Sequence, residues 1–327
     1  MKKIPLALAD VRTARERIAG MAVRTPLKSA PELAAGEGRV FLKLENLQTT
    51  GAFKIRGAAN KILSLSDGER RRGVITVSSG NHGRAVAYVC GKEGIRARVC
   101  VPETVPENKQ NAIRGLGAEL VLAGANADEA MRIADEIQAA EGLTMVHPFD
   151  DLEIIAGQGT IGLELLEDLP DLATVIVPLS GGGLMSGIAF AVKTLKPDAH
   201  VVGVSMERGP AMVESIRAGR IVDVVEEPTL ADALAGGLNH DNRYTLPMVM
   251  EYVDETVLVS EDEIARGMWH LLSEHHLVVE GGAAVGVSAL LAGKVEKAGQ
   301  NTAVVISGGN VPMKDIYQVM KKYMEAK

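Results

Sequence analysis

The chain has 327 residues, of which 46% are hydrophobic, 24% charged and 3% aromatic, and its formal charge is -7. That length accommodates one large domain or two lobes, and the sequence holds no run near the roughly 18 consecutive apolar residues that a bilayer span requires. Scattered lysines in a net acidic chain give a nucleic acid no basic stripe, and so few rings give its bases little to stack on.

Along the chain, Val- and Ile-rich runs alternate with segments of helical period, as when parallel strands are joined by crossover helices, so the expected fold class is α/β. The opening "MKKIPLALADVRTARERI" has a brief apolar run that passes into a charged helical pattern without a cleavage site, so a cytoplasmic protein is expected. A first strand is expected over residues 39–45. The stretch "TTGAFKIRGAANKIL", residues 49–63, then sets Lys54 behind a small-residue turn and just ahead of a helix. A lysine in that position is either a solvated surface charge or the reagent of a site.

A strand over residues 73–79 leads into "VSSGNHGRAVAY", where Ser78, Ser79, Asn81 and His82 crowd a turn that opens a helix over 81–92. Short polar donors and free helix amides suit a carboxylate or phenolate oxygen, whereas a capped helix start explains one serine and not the cluster. A lone His82 is more often structural than a catalyst, and no base role is assigned to it. Cys90 and Cys100 lie in apolar segments and read as buried free thiols. Strands over 96–102 and 118–124 and helices over 107–116 and 127–141 follow. Next, "GQGTIG" places Gly157, Gly159 and Gly162 in the dinucleotide fingerprint, but the preceding "DDLEIIA" reads as helix or loop, so the match is accidental.

A strand over 174–180 runs into Gly181, Gly182 and Gly183 and a helix over 184–195. Glycines let a backbone approach an anion closely, and helix-start amides attract it; a tight packing turn is the competing explanation. Without a Gly-Lys-Ser/Thr ending, a single phosphate suits this loop better than a triphosphate. Strands over 200–206 and 255–260 follow, and a Ser-x-x-Glu capping box at Ser260 opens a helix over 261–274. The last strand, 302–307, ends in "SGGN", where Ser307 is either a turn residue or a hydroxyl able to bond a ring nitrogen without supplying a full charge. Apart from the Lys54 turn, these sites follow strands, at the carboxyl ends where α/β sheets bind ligands. An amine beside a phosphate cradle, with no metal cluster or Ser-His-Asp order evident, points to a Schiff base with a phosphorylated aldehyde.

The phrases "AFKIRGA", "SSGNHG", "SGGGL" and "SGGN", in this order, resemble the fold-type II pyridoxal-phosphate (PLP) enzymes, in the branch of serine/threonine dehydratases and serine racemase. "MVHPFDD", "AGQGT" and "VSEDEI" extend the resemblance over nearly the whole chain. It implies a two-lobed fold like that of the tryptophan synthase β subunit, with parallel-rich twisted sheets flanked by helices. Residues 1–70 and 144–327 would form a large PLP-binding domain, and 71–143 a small mobile one. The implied cofactor is pyridoxal 5'-phosphate, held as a Schiff base by Lys54, which would also remove the substrate's α-proton. Phe53 would pack beside the cofactor, Asn81 bond its ring hydroxyl and Ser307 its pyridine nitrogen, while Ser180, Gly181, Gly182, Gly183 and Leu184 hold its phosphate. Ser78, Ser79, Asn81 and His82 would meet the substrate, and Ser79 matches the acid/base position on the opposite cofactor face in racemases.

The activity so implied is an ammonia-lyase that eliminates water from a 3-hydroxy amino acid such as L-threonine or L-serine, giving a 2-oxo acid and ammonia. Dehydration of a hydroxyectoine-derived amino acid or of 3-hydroxyaspartate, and serine racemisation, stay open within this chemistry; outside it stands a non-catalytic PLP carrier or regulator. A homodimer is implied. The added regulatory domain of the biosynthetic threonine enzymes has no counterpart before Lys327, so feedback inhibition of that kind is not expected. Metal-dependent members use two carboxylates and a backbone carbonyl; Glu207 and Ala211 match two of these, but Val213 stands at the second carboxylate, leaving the divalent-cation set incomplete. Finally, "ALAGGLNHDNRYT", residues 233–245, is similar to dehydratases associated with hydroxyectoine breakdown. There His240, Asp241 and Arg243 either read a second polar group on a larger substrate or belong to a loop or interface.

Overall fold

The computed structural model describes residues 4–34, 36–296, 298 and 300–325. Among these, the strands are β1 (Leu27–Ser29), β2 (Val40–Lys43), β3 (Val74–Val77), β4 (Ala97–Val101), β5 (Glu119–Leu122), β6 (Thr144–Met145), β7 (Thr174–Pro178), β8 (His200–Met206), β9 (Glu255–Val259) and β10 (Thr302–Val305). The first helices are α1 (Leu8–Arg17), α2 (Lys54–Leu63), α3 (Asp67–Arg72), α4 (Asn81–Glu93), α5 (Glu107–Arg114) and α6 (Ala127–Glu141). The remainder are α7 (Leu152–Asp168), α8 (Gly183–Leu195), α9 (Ala211–Ala218), α10 (Thr245–Tyr252), α11 (Glu261–Ser273), α12 (Gly281–Leu291) and α13 (Met313–Met324). No helix among the described residues is long and apolar enough to cross a membrane.

Two sheets result, and the class is α/β. The larger runs β1-β2-β10-β7-β8-β9, parallel except for the antiparallel edge strand β1. Its central strand β7, Thr-Val-Ile-Val-Pro, is buried throughout, as expected of a β-branched run covered on both faces. One face packs against α11, α12 and α13 through Ile264, Met268, Val285 and Ile316; the other packs against α7 and α8 through Ile161, Leu165, Met185 and Ile188. The smaller sheet, β5-β4-β3-β6, is all parallel. Its core is shared with α2, because Ile55, Ala58 and Ile62 join Val74, Val86 and Val99 in one apolar cluster. The helix that starts at Lys54 thus touches the smaller sheet's core.

Every expected strand and helix is present, with bounds that differ by at most two residues; most differences are trimmed ends, while α4 runs one residue longer, to Glu93, and α8 starts one residue earlier, at Gly183. Two short strands are additional: β1, and β6, which pairs with β3 just past the expected boundary at residue 143. The fingerprint look-alike lies inside helix α7, which Asp151 caps by accepting the amides of Glu153 (2.8 Å) and Ile154 (3.2 Å). Its glycines serve close helix packing. A Cβ on Gly157 would meet the Arg56 carbonyl at 2.6 Å, and one on Gly162 would meet the Ala191 Cβ at 2.9 Å. Both cysteines are free and buried, and burial pushes their thiols up to about 12 at Cys90 and about 11 at Cys100.

Candidate active site

The polar turns at the carboxyl ends of β3, β7 and β10 and the turn before α2 open onto one cavity of about 1850 Å³. Phe53, Lys54, Ser78, Ser79, Asn81, His82, Ser180, Gly181, Gly182, Gly183, Leu184 and Ser307 all line it. The sequence-expected cofactor and substrate residues are therefore brought together. Glu207 and Ala211 lie outside the cavity. The exposed Glu207 carboxylate sits 3.7 Å from Lys294 Nζ, Ala211 opens α9, and Val213 is buried.

Lys54 is delivered by main-chain bonds. Gly51 holds φ +76°, a left-handed turn that favours glycine, and a Cβ there would press to 2.7 Å from Asn310 Oδ1. Ala52 bridges Gly308, the Phe53 amide donates to the Ser307 carbonyl at 3.0 Å, and the Gly309 amide donates to the Gly51 carbonyl at 2.9 Å. The Lys54 ammonium then donates from Nζ to the Pro148 carbonyl at 2.7 Å. Burial lowers the Lys54 amine to about 8, with the Glu280 charge opposing the shift. An amine so placed is half neutral at about pH 8, where an ordinary lysine is almost wholly charged.

The glycine turn between β7 and α8 has no room for side chains. Gly182 adopts φ +87°, and a Cβ there would meet Met212 Cε at 2.7 Å and Thr245 Cβ at 2.9 Å. A Cβ on Gly181 would enter the Phe149 ring at 2.4 Å. No side chain caps α8, so its opening amides and positive end are directed at whatever anion enters the turn. The Ser180 hydroxyl donates to the Leu234 carbonyl at 2.9 Å, which anchors this turn to the segment before residue 235.

At the β3 end, His82 behaves as a fixed neutral ring. Its Nε2–H donates to the Val146 carbonyl at 2.9 Å, and burial together with the Lys54 charge pushes the imidazole down to about 3. Nδ1 is thereby left as a buried lone pair without a partner among the described residues. In this tautomer the ring offers a carboxylate no N–H; donors for one come from the Ser78 and Ser79 hydroxyls and the opening amides of α4, which no side chain caps.

Asn81 is engaged at both ends. Its Nδ2 donates to Glu280 Oε1 (2.8 Å) and Oε2 (3.1 Å), and its Oδ1 accepts from Asn310 Nδ2 at 2.8 Å. Glu280 is a site residue that the sequence reading did not single out. Burial pushes its carboxyl up to about 7 against the hydrogen bonds from Asn81, so at neutral pH it is partly protonated. A signal was present: a lone acid between the apolar run "LVV" and the glycine pair that starts α12. Asp150 is a second such residue. Its carboxylate accepts the successive amides of Arg243 (2.7 Å), Tyr244 (2.9 Å) and Thr245 (2.8 Å), fixing the start of α10 at the cavity wall. His240, Asp241 and Arg243 line the same cavity with exposed side chains, and His240 Nε2 lies 3.1 Å from Asp223 Oδ1.

Comparison with known proteins adds an independent line. A family model described as pyridoxal-phosphate dependent enzyme matches residues 18–308. An L-threonine ammonia-lyase of Thermotoga maritima is 44% identical, over 97% of this chain and 79% of its own length. A catabolic L-threonine dehydratase of Escherichia coli K12 is 41% identical, over 97% of this chain and 96% of its own. Among solved structures, maize serine racemase superposes with a TM-score of 0.90 at 33% identity, covering 99% of both chains.

Proposed function

Because this chain belongs to the pyridoxal-phosphate dependent enzymes, we propose that it removes water from a 3-hydroxy amino acid of the L-threonine or L-serine type, giving a 2-oxo acid and ammonia. The observation that carries the reading is one cavity holding a lysine amine lowered to about 8 together with a turn of glycines that leaves no space for a Cβ. Those residues fit a phosphorylated aldehyde: the amine is the nucleophile it needs, and the glycine turn at the positive end of α8 suits its phosphate. The relatives named as threonine ammonia-lyase and threonine dehydratase support the same substrate type.

In this account Ser180 to Leu184 hold the phosphate, Phe53 packs beside the ring, and Asn81 and Ser307 bond its polar edge. When bound, pyridoxal phosphate supplies an electron-withdrawing ring that stabilises negative charge at the substrate α-carbon. The Ser78 and Ser79 hydroxyls and the α4 amides take the substrate carboxylate. Lys54 Nζ receives the α-proton, a transfer that an amine near pH 8 performs without a large penalty in either direction. The 3-hydroxyl leaves as water with the proton given up by the α-carbon, and the released enamine tautomerises and takes up one water to split into the 2-oxo acid and ammonia. We take residues 71–143 to form the mobile lobe, whose closure would keep bulk water from the reacting carbon. The same reading has the protein act as a homodimer in the cytoplasm.

A second reading, serine racemisation, is favoured by one observation: Ser79, which the resemblance matches to the acid/base of racemases, lines the cavity. A panel separates the two. Ammonia, 2-oxo acid and enantiomer ratio are measured with L-threonine, L-serine, 3-hydroxyaspartate and a hydroxyectoine-derived amino acid. Ammonia with L-threonine or L-serine supports the proposal, D-serine without ammonia replaces it by racemisation, and preference for a doubly charged substrate reassigns His240, Asp241 and Arg243 to recognition.

A further inference from the structure

Away from the cavity, three side chains converge that the proposed chemistry does not use. Glu32 lies on the 3-10 turn Pro31–Leu33, His270 on the last turn of α11, and His275 just beyond that helix. Both imidazoles aim the same nitrogen at one carboxylate oxygen: His275 Nε2 is 2.7 Å and His270 Nε2 3.4 Å from Glu32 Oε1. One ligand atom from each residue lies within 4.8 Å of the others. The rings sit 5.6 Å apart, centroid to centroid, tilted by 59°.

We propose that Glu32, His270 and His275 form a binding site for a divalent transition-metal ion of the zinc class. A tetrahedral zinc ion bonded at about 2.0–2.1 Å holds its ligand atoms about 3.4 Å from one another; the His270–Glu32 separation of 3.4 Å already has that spacing, and the His275–Glu32 separation of 2.7 Å would have to open slightly. The donors also discriminate. Two imidazoles and one carboxylate suit Zn²⁺, Cu²⁺ or Ni²⁺, whereas Mg²⁺ and Ca²⁺ require more oxygens than this face supplies. The fourth position would be left to water. Without an ion, one oxygen must accept from two ring N–H groups; an ion replaces both protons and uses the same three atoms.

The surroundings are set for it. His275 is 7% exposed while Glu32 and His270 keep more access to solvent, so one ligand is fixed by packing and the ion has an entry side. The backbone that carries His275 is tied down, since the Lys28 side-chain Nζ donates to the His275 carbonyl at 3.2 Å and the Leu277 amide donates to the Leu271 carbonyl at 2.9 Å. His276 turns the chain with φ +58°, which few non-glycine residues adopt. From there the chain runs directly to Glu280 at the cavity. An ion at this site would clamp the Pro31–Leu33 turn to the segment that delivers Glu280. This set is distinct from Glu207 and Ala211, and none of its three members lines the cavity.

The test uses the full-length holoprotein, dialysed against chelator and titrated calorimetrically with zinc chloride. Wild type is expected to bind one ion per chain at this site, with Glu32→Gln and His270→Gln each weakening it by at least about tenfold. Both substitutions keep shape and hydrogen-bonding capacity at partly exposed positions, and cofactor absorbance reports that the variants are folded. A second probe needs no variant: Cu²⁺ added to wild type should give an electron paramagnetic resonance spectrum with coupling to two imidazole nitrogens. Absent stoichiometric zinc binding, zinc binding unchanged in both variants, or a copper spectrum without nitrogen coupling would each overturn the proposal.

Discussion

The Phe53 amide donates to the Ser307 carbonyl at 3.0 Å, so the residue before Lys54 and the serine after β10 are joined through main chain alone. The two residues are 254 positions apart by number (307 minus 53). The lysine and the candidate ring partner therefore hold their relative position whichever side chain stands at residue 53. The neighbouring Ala52–Gly308 bridge and the Gly309-to-Gly51 bond reinforce the same junction.

Gly182→Ala tests the cradle. The residue's φ of +87° costs a side-chain-bearing residue about 1–2 kcal/mol, and its new Cβ would press on Met212 and Thr245. The variant is expected to melt lower and to lose cofactor on gel filtration while wild type keeps it. Cofactor content equal to wild type would remove this turn from phosphate binding.

Glu280→Gln tests the buried carboxyl through stability. Its folded value of about 7 lies above its ordinary value of 4.5, so the native state binds the extra proton between those limits. The stabilisation is complete below pH 4.5 and is lost as pH rises through about 7. Wild type should therefore lose melting temperature relative to Glu280→Gln across that interval. Parallel melting curves for the two proteins would show that the carboxyl does not titrate there.

The Lys54 amine makes cofactor capture pH-dependent. Only the neutral amine attacks an aldehyde, and here it is half neutral at about pH 8. The initial rate at which apoprotein takes up pyridoxal phosphate should rise with pH and level off above about 8. A rate still climbing toward pH 10.5, the ordinary lysine value, would contradict the desolvated environment.

Two positions beyond Lys54, Arg56 holds two buried carboxylates. Its Nε and Nη2 donate to Glu45 at 2.9 Å each, and its Nη1 and Nη2 donate to Glu164 at 2.6 and 2.9 Å. Lys43 Nζ adds a contact to Glu164 at 2.6 Å. Arg56→Ala leaves excess negative charge out of water and is expected to cost about 3–5 kcal/mol in chemical denaturation. A loss under about 1 kcal/mol would mean that water or protonation compensates the carboxylates.

Strands were legible where burial on both faces writes a Val/Ile run, as in β7 and β8; β1 and β6, three and two residues long, carry no such pattern. Helix α12, "GGAAVGVSALL", is buried nearly all round, so it shows no amphipathic period. The site was legible where chemistry is concentrated in one loop: Lys54, the serine turn, the glycine turn and Ser307. Glu280 was not, because its meaning depends on Asn81, 199 residues away, and on a desolvation that no local spacing encodes. Likewise, only the contact with Val146 reveals which nitrogen of His82 carries its proton.

The most direct measurement is borohydride reduction of the holoprotein, followed by peptide mass analysis and assay of 2-oxo acid release from L-threonine. One reduced cofactor attached at Lys54 is expected, with 2-oxo acid formation lost on reduction and absent in Lys54→Ala. Cofactor mass on a different residue, or turnover retained by Lys54→Ala, would contradict the role given to Lys54.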